Sequence, residues 1–299
     1  MGAVGVSRST LGFAAVGLAA ALFALAGVVA SRLFDAGVAP DALAEARAAI
    51  ACGGLLLIPS ARRSPCGPRR PGLLFALGVA LMLVTLAYYL AIARLPVAVA
   101  IVLQYTGPGM VVAWVALTTR RRPPLEILAS LAAALLGVVL VSELPAVGLA
   151  GIDLLGLGAG LASAVMFAAY TLLSESAQRT YGALGTMFRA FAVATLLWVV
   201  YQAPQGWPEE VFRAEHLRAV VFVGVGGTLC AFLLYVWGIA RIRSQRAAIA
   251  ATLEPVLAAL VAWAALDQAL SPSQIAGGAL VVAAVVGLQL GDKPLVDVG

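Results

Sequence analysis

Charge is what this sequence has least of: Asp, Glu, Lys and Arg make up 11% of its 299 residues, where a soluble domain carries about a quarter. Hydrophobic residues account for 63% and the mean hydropathy is +1.02. These values exclude an ordinary soluble domain and leave an all-α integral membrane protein. A single histidine, His216, leaves no histidine cluster for a metal. The three cysteines, Cys52, Cys66 and Cys230, lack metal-ligand spacing, and two fall in apolar runs, so no disulfide framework is expected. Also missing are an H-E-x-x-H helix, a G-x-S-x-G elbow and a phosphate-binding G-x-x-x-x-G-K loop. Those absences argue against a membrane-embedded enzyme and against direct ATP drive. No cofactor is expected.

What is present is a series of apolar runs long enough to cross a bilayer, which takes about 20 residues. Ten are predicted, at residues 10–30, 40–59, 72–93, 96–118, 125–142, 153–174, 182–203, 217–240, 246–266 and 272–291. The second is the weakest, because "DALAEARAAI" puts three charges into its first half. Arg8 and the small residues near Ala30 resemble a cleaved leader. An internal repeat needs this segment, however, and it is expected to stay as the first span.

The basic residues set the orientation. With the N-terminus inside, thirteen fall in inside segments (Arg8, Arg62, Arg63, Arg69, Arg70, Arg120, Arg121, Arg122, Arg179, Arg241, Arg243, Arg246, Lys293) and four outside (Arg32, Arg94, Arg213, Arg218). Both termini are therefore expected in the cytoplasm and the chain in a plasma or inner membrane. "ARRSPCGPRR" and "TTRRRPP" read as topology anchors rather than nucleic-acid or anionic-lipid patches, and Trp207 in "QGWPEE" as an interface anchor.

The chain repeats itself. "GLAAALFALA" from Gly17 matches "GLASAVMFAA" from Gly160 at an offset of 143, and Arg47 matches Arg189 at 142. "YYLAIAR" ending at Arg94 matches "YVWGIAR" ending at Arg241 at 147, an offset that also superposes Tyr88 on Tyr235 and Pro108 on Pro255. The expected halves are residues 1–145 and 146–299. Each holds five spans, an odd number, so the second enters the membrane inverted. Inverted repeats around a central cavity are the architecture of secondary transporters.

"LQYTGPGM" and "LEPVLAALVAWAALDQALSPSQIAGGALVVAAVVG", within this five-plus-five pattern, resemble the EamA family of the drug/metabolite transporter superfamily. The likeness covers nearly the whole chain. It implies ten helices in two inverted halves around a cavity and transport of small metabolites. Amino-acid exporters of the YddG (aromatic) and threonine/homoserine types look most similar. Asp267 in "ALDQALSP" stands where the family more often has Glu.

Specific residues then suggest a site. Pro108 and Pro255 lack amide hydrogens and are expected to release the carbonyls of Gln104 and Ala251, kinking two helices toward a wet cavity. With Gly107 and Gly109 they are the expected hinges of alternating access. Glu254 is costly inside a bilayer and is expected to face the cavity, water or a partner. It either releases a proton, holds an ammonium, donates to a freed carbonyl or pairs with an arginine of the second or seventh span. Arg47 and Arg189 snorkel toward an interface, pair with Glu45 or with carbonyls, or clamp a carboxylate. Met82, Thr85 and Tyr89 form one stripe and Ser163, Met166 and Tyr170 another. With Gln104, Tyr105 and Tyr235 they sketch a pocket for a mostly apolar solute with a small polar head.

The leading expectation is an exporter of neutral or zwitterionic metabolites such as hydrophobic amino acids. The alternative is a multidrug-type exporter of lipophilic cations held by Glu254. Phosphorylated substrates would need more buried cations than these two arginines. The expected partners are a small-molecule substrate and membrane lipid, without nucleic acid, and a monomer suffices.

Overall fold

The computed structural model describes residues 7–63, 66–146, 153–206, 208–266 and 269–291, so Trp207, Asp267 and Lys293 lie outside the described residues. Among these it is helical without strands. The helices are α1 Arg8–Asp35, α2 Pro40–Leu56, α3 Pro71–Ile92, α4 Val97–Gln104, α5 Gly107–Thr119, α6 Leu125–Val141, α7 Leu154–Gln202, α8 Ala214–Gly224, α9 Ala231–Ala250, α10 Leu253–Leu266 and α11 Pro272–Leu290. Their starts follow from local chemistry. The Ser7 and Asp153 side chains accept amide hydrogens from Thr10 and Gly156. Ser271 and Gln274 form a reciprocal capping box. Prolines open α2, α3 and α11, where a missing amide costs no hydrogen bond.

Six helical runs are long and apolar enough to cross a membrane by length and composition: 8–35, 71–92, 97–119, 154–202, 214–250 and 272–290. Two shorter apolar helices, 125–141 and 253–264, accompany them. At 1.5 Å per residue, the 49 residues of α7 would reach about 74 Å, more than twice the hydrocarbon thickness. The run is interrupted at Gly182, with φ 65° and ψ 172°. Arg243 interrupts α9 in nearly the same conformation, φ 66° and ψ 164°. Glycine takes this backbone freely, having no Cβ. For an arginine it costs about 1–3 kcal/mol. The segment beyond Arg243 is held by Glu175 of α7, whose carboxylate accepts from the Ser244 amide at 3.0 Å.

Packing pairs α3 with α7, α6 with α11 and α1 with α9. The α6–α11 crossing depends on Gly137 and Gly277, since a methyl added at Gly277 would stand 2.6 Å from the Gly137 carbonyl oxygen. Small residues at such crossings let backbones approach where lipid offers no hydrophobic drive between helices. Between α8 and α9 the chain passes through a π turn, Val225–Cys230, marked by the Thr228 hydroxyl on the Val223 carbonyl five residues back at 2.8 Å.

Candidate functional site

Two helix breaks frame the site, and both use the same hydrogen bonds. At the end of α4 the Thr106 amide and hydroxyl both reach the Leu103 carbonyl, at 3.1 and 2.6 Å. At the end of α9 the Thr252 amide and hydroxyl reach the Ile249 carbonyl at 3.1 and 2.6 Å. The kinked spans expected at 96–118 and 246–266 are thus interrupted outright. Pro108 sits in the first turn of α5, where its missing amide is harmless. The expectation that Pro255 leaves the Ala251 carbonyl without a backbone donor needs correcting: the Glu254 amide reaches it at 3.0 Å, closing a tighter three-residue turn. Gly107 is fixed by packing, because a methyl there would lie 2.8 Å from the Phe167 ring and 3.0 Å from the Ala164 carbonyl. Gly109 has open space nearby, with Leu131 no closer than 4.0 Å.

A cavity of about 450 Å³ lies beside both breaks. Tyr89, Gln104, Tyr105, Tyr170, Tyr235 and Glu254 line it. Met82 and Met166 do not: Met82 is buried in the core and Met166 packs against that core. Thr85 from the Met82 stripe does reach the cavity, whereas Ser163 turns its hydroxyl to the Val84 carbonyl at 3.1 Å.

The walls are aromatic. Tyr170 stacks on Tyr235 with centroids 5.9 Å apart, and Phe232 meets both Tyr170 and Phe23 edge to face at 5.5 and 4.9 Å. The Tyr235 hydroxyl is held by Thr171 at 3.1 Å. Phe34 sits edge-on to Tyr89 at 6.1 Å.

Opposite charges face this space. Arg47 of α2 lines the cavity and donates to the Thr85 hydroxyl at 2.6 Å, rather than snorkelling or pairing with Glu45. Glu254 of α10 lines the same cavity, as does Tyr105. The two charges form no direct ion pair among the described residues. Arg189, which aligns with Arg47 in sequence at an offset of 142, does something else: it donates to the carbonyls of Ala61, Gly185 and Arg63 at 3.2, 3.0 and 3.1 Å, with its guanidinium 5.0 Å from the Tyr181 ring centroid.

Sequence reasoning missed Phe23, Phe34, Phe167, Phe232 and Val223 as lining residues. Phe23 and Phe167 lie in or beside the first repeat match, yet nothing in an apolar helix marks which phenylalanine faces inward. Val223 and Tyr235 are twelve positions apart, about 120° on a regular helix. One residue absorbed by the π turn brings them to about 20°, onto one face.

Residues 154–290 match the model of the EamA-like transporter family. An inner membrane transporter of Salmonella typhimurium, YicL, described as uncharacterized, is 28% identical over 215 residues, 72% of this chain and 71% of that protein. An uncharacterized transporter of Archaeoglobus fulgidus is 27% identical over 275 residues, 92% and 95% of the two chains. Over 133 residues, 44% of each chain, the Bacillus subtilis uncharacterized transporter YwfM is 26% identical. One crystal structure of a protein superposes with a TM-score of 0.73 over 95% of this chain and 96% of its own, at 22% identity, so the fold is shared.

Proposed function

We propose that this chain is a secondary transporter of the EamA type that exports zwitterionic metabolites, in particular amino acids with aromatic or other hydrophobic side chains, by alternating access. The carrying observation is the cavity itself: Arg47, held by Thr85, and Glu254 both line one aromatic-walled space. Arg47 offers its guanidinium to a carboxylate and Glu254 accepts an ammonium, while the tyrosine and phenylalanine rings take the side chain. A cavity of about 450 Å³ holds a solute of that size.

In this reading ten spans form two inverted halves, residues 1–145 and 146–299, with both termini cytoplasmic. The interruptions at Gly182 and Arg243 divide α7 and α9 into separate spans, and the paired breaks at Thr106 and Thr252 support the repeat. Rocking pivots at those breaks, with Pro108 and Pro255 preventing either from re-forming a continuous ladder. A lipophilic-cation exporter is the second reading. Glu254 favours it, but Arg47 in the same cavity repels a permanent cation.

The test is uptake of radiolabelled amino acids and lipophilic cations into proteoliposomes holding wild type or Glu254→Gln, with and without a proton gradient. Saturable phenylalanine or leucine flux supports the proposal, and cation flux without amino-acid flux overturns it. Flux that needs the gradient and is lost in Glu254→Gln makes the carboxylate a proton carrier; flux independent of the gradient makes it a binding group.

A further inference from the structure

A second concavity, about 590 Å³, opens where α5 ends, α6 begins and α9 is interrupted. Arg121, Arg122 and Arg243 line it, over a floor that includes Val115, Ala116 and Pro124. None of the three arginines forms an ion pair among the described residues. The nearby acid, Glu126, is already engaged by Arg246 at 2.8 Å. The surrounding surface is that of a lipid-facing wall, with Trp114, Leu117 and Leu125 exposed at 56%, 75% and 80%.

Topology anchoring explains the sign of these charges but not their arrangement. Arg243 occupies a backbone conformation suited to glycine, and at Gly182, where the chain adopts nearly the same angles, glycine is present. A guanidinium kept at such a position, aimed into a concavity with two others, indicates a use for it. We propose that this pocket binds the phosphate of an anionic phospholipid from the inner leaflet. Arg121, Arg122 and Arg243 take the phosphate oxygens by charge-assisted bonds, and the acyl chains lie along the exposed apolar faces of α5 and α6. The bound lipid thereby ties the start of α6 to the turn that joins the two parts of α9, nine residues before the break at Thr252. This site is separate from the transport cavity and does not depend on the substrate assigned there.

The experiment uses the full chain purified in neutral detergent, read by native mass spectrometry and by thermal unfolding, with phosphatidylglycerol, phosphatidylcholine or inorganic phosphate added. Wild type should retain phosphatidylglycerol and unfold at a higher temperature with it, and show neither effect with phosphatidylcholine. Arg121→Gln/Arg122→Gln should bind phosphatidylglycerol at least about tenfold more weakly. Arg243→Gly should unfold at a higher temperature than wild type without lipid, because its strain is relieved, yet gain less from phosphatidylglycerol. Equal effects of the two lipids, an undiminished phosphatidylglycerol effect in either variant, or an equal effect of inorganic phosphate alone would overturn the assignment.

Discussion

Before the proline at the first helix break stands Gly107; before the proline at the second stands Glu254, its equivalent at the 147-residue offset. Gly107 is pressed against Phe167 and the Ala164 carbonyl, while Glu254 reaches into the cavity. Arg47 and Arg189 differ in the same way, one beside Thr85 in the cavity and the other satisfying the carbonyls of Ala61 and Arg63 at the 59–62 turn and of Gly185 in its own helix. In each pair one member maintains packing and the other lines the cavity. The two breaks thus share their hydrogen bonds but not the side chains around them, and the cavity between is lined by one arginine and one glutamate.

The sharpest way to break this comparison is to exchange roles. Gly107→Glu should lower the unfolding temperature more than any change in the cavity, because the side chain must displace Phe167 and backbone, an overpacking cost of about 1–3 kcal/mol together with a buried charge. A variant that folds and unfolds like wild type would remove the packing role. Arg47→Met and Arg189→Met should then separate cleanly. Arg47→Met raises the half-saturation concentration for amino acids roughly 10- to 100-fold with little change in thermal stability. Arg189→Met does the reverse, costing about 2–3 kcal/mol as carbonyls lose a charged donor, with flux per folded molecule retained. Identical profiles for the two would return both to a shared structural job.

Smaller effects sharpen the picture. Thr85→Val removes the hydroxyl that orients Arg47 and should raise half-saturation about fivefold, near 1 kcal/mol. Thr106→Val and Thr252→Val should each cost about 0.5–1 kcal/mol of stability, and by similar amounts, since the two bonds are equal in length at 2.6 Å. A large asymmetry between them would show that the breaks only look alike.

Much of this was legible in the residues. Hydropathy located the helices because a bilayer imposes length and apolarity on every span. The prolines pointed to both breaks because proline is accommodated in the first turn of a helix and not in its interior. Residue type alone could not say which arginine faces a cavity: Arg47 and Arg189 are chemically identical, and the difference lies in what faces them, Thr85 or the 59–62 carbonyls. Met82 was misplaced for a related reason. Thr85 and Tyr89 of its stripe reach the cavity, but a helical stripe spans enough arc that its edge residue turns into the core. The turn at Arg243 left no mark either, since positive φ is read from glycine and the residue there is arginine.

The π turn at Val225–Cys230 carries a consequence for how this protein tolerates change in length. It holds one residue more than a regular helix needs, so deleting a residue there would heal the helix and leave everything beyond it facing as before, whereas closing the turn with its full length would swing the rest by about 100°. Tyr235 and Phe232 would stay in the cavity wall in the first case and leave it in the second. That stretch is slack in the chain: it can give up one residue without disturbing the aromatic wall, where the same loss elsewhere between Val223 and Tyr235 would turn the wall away.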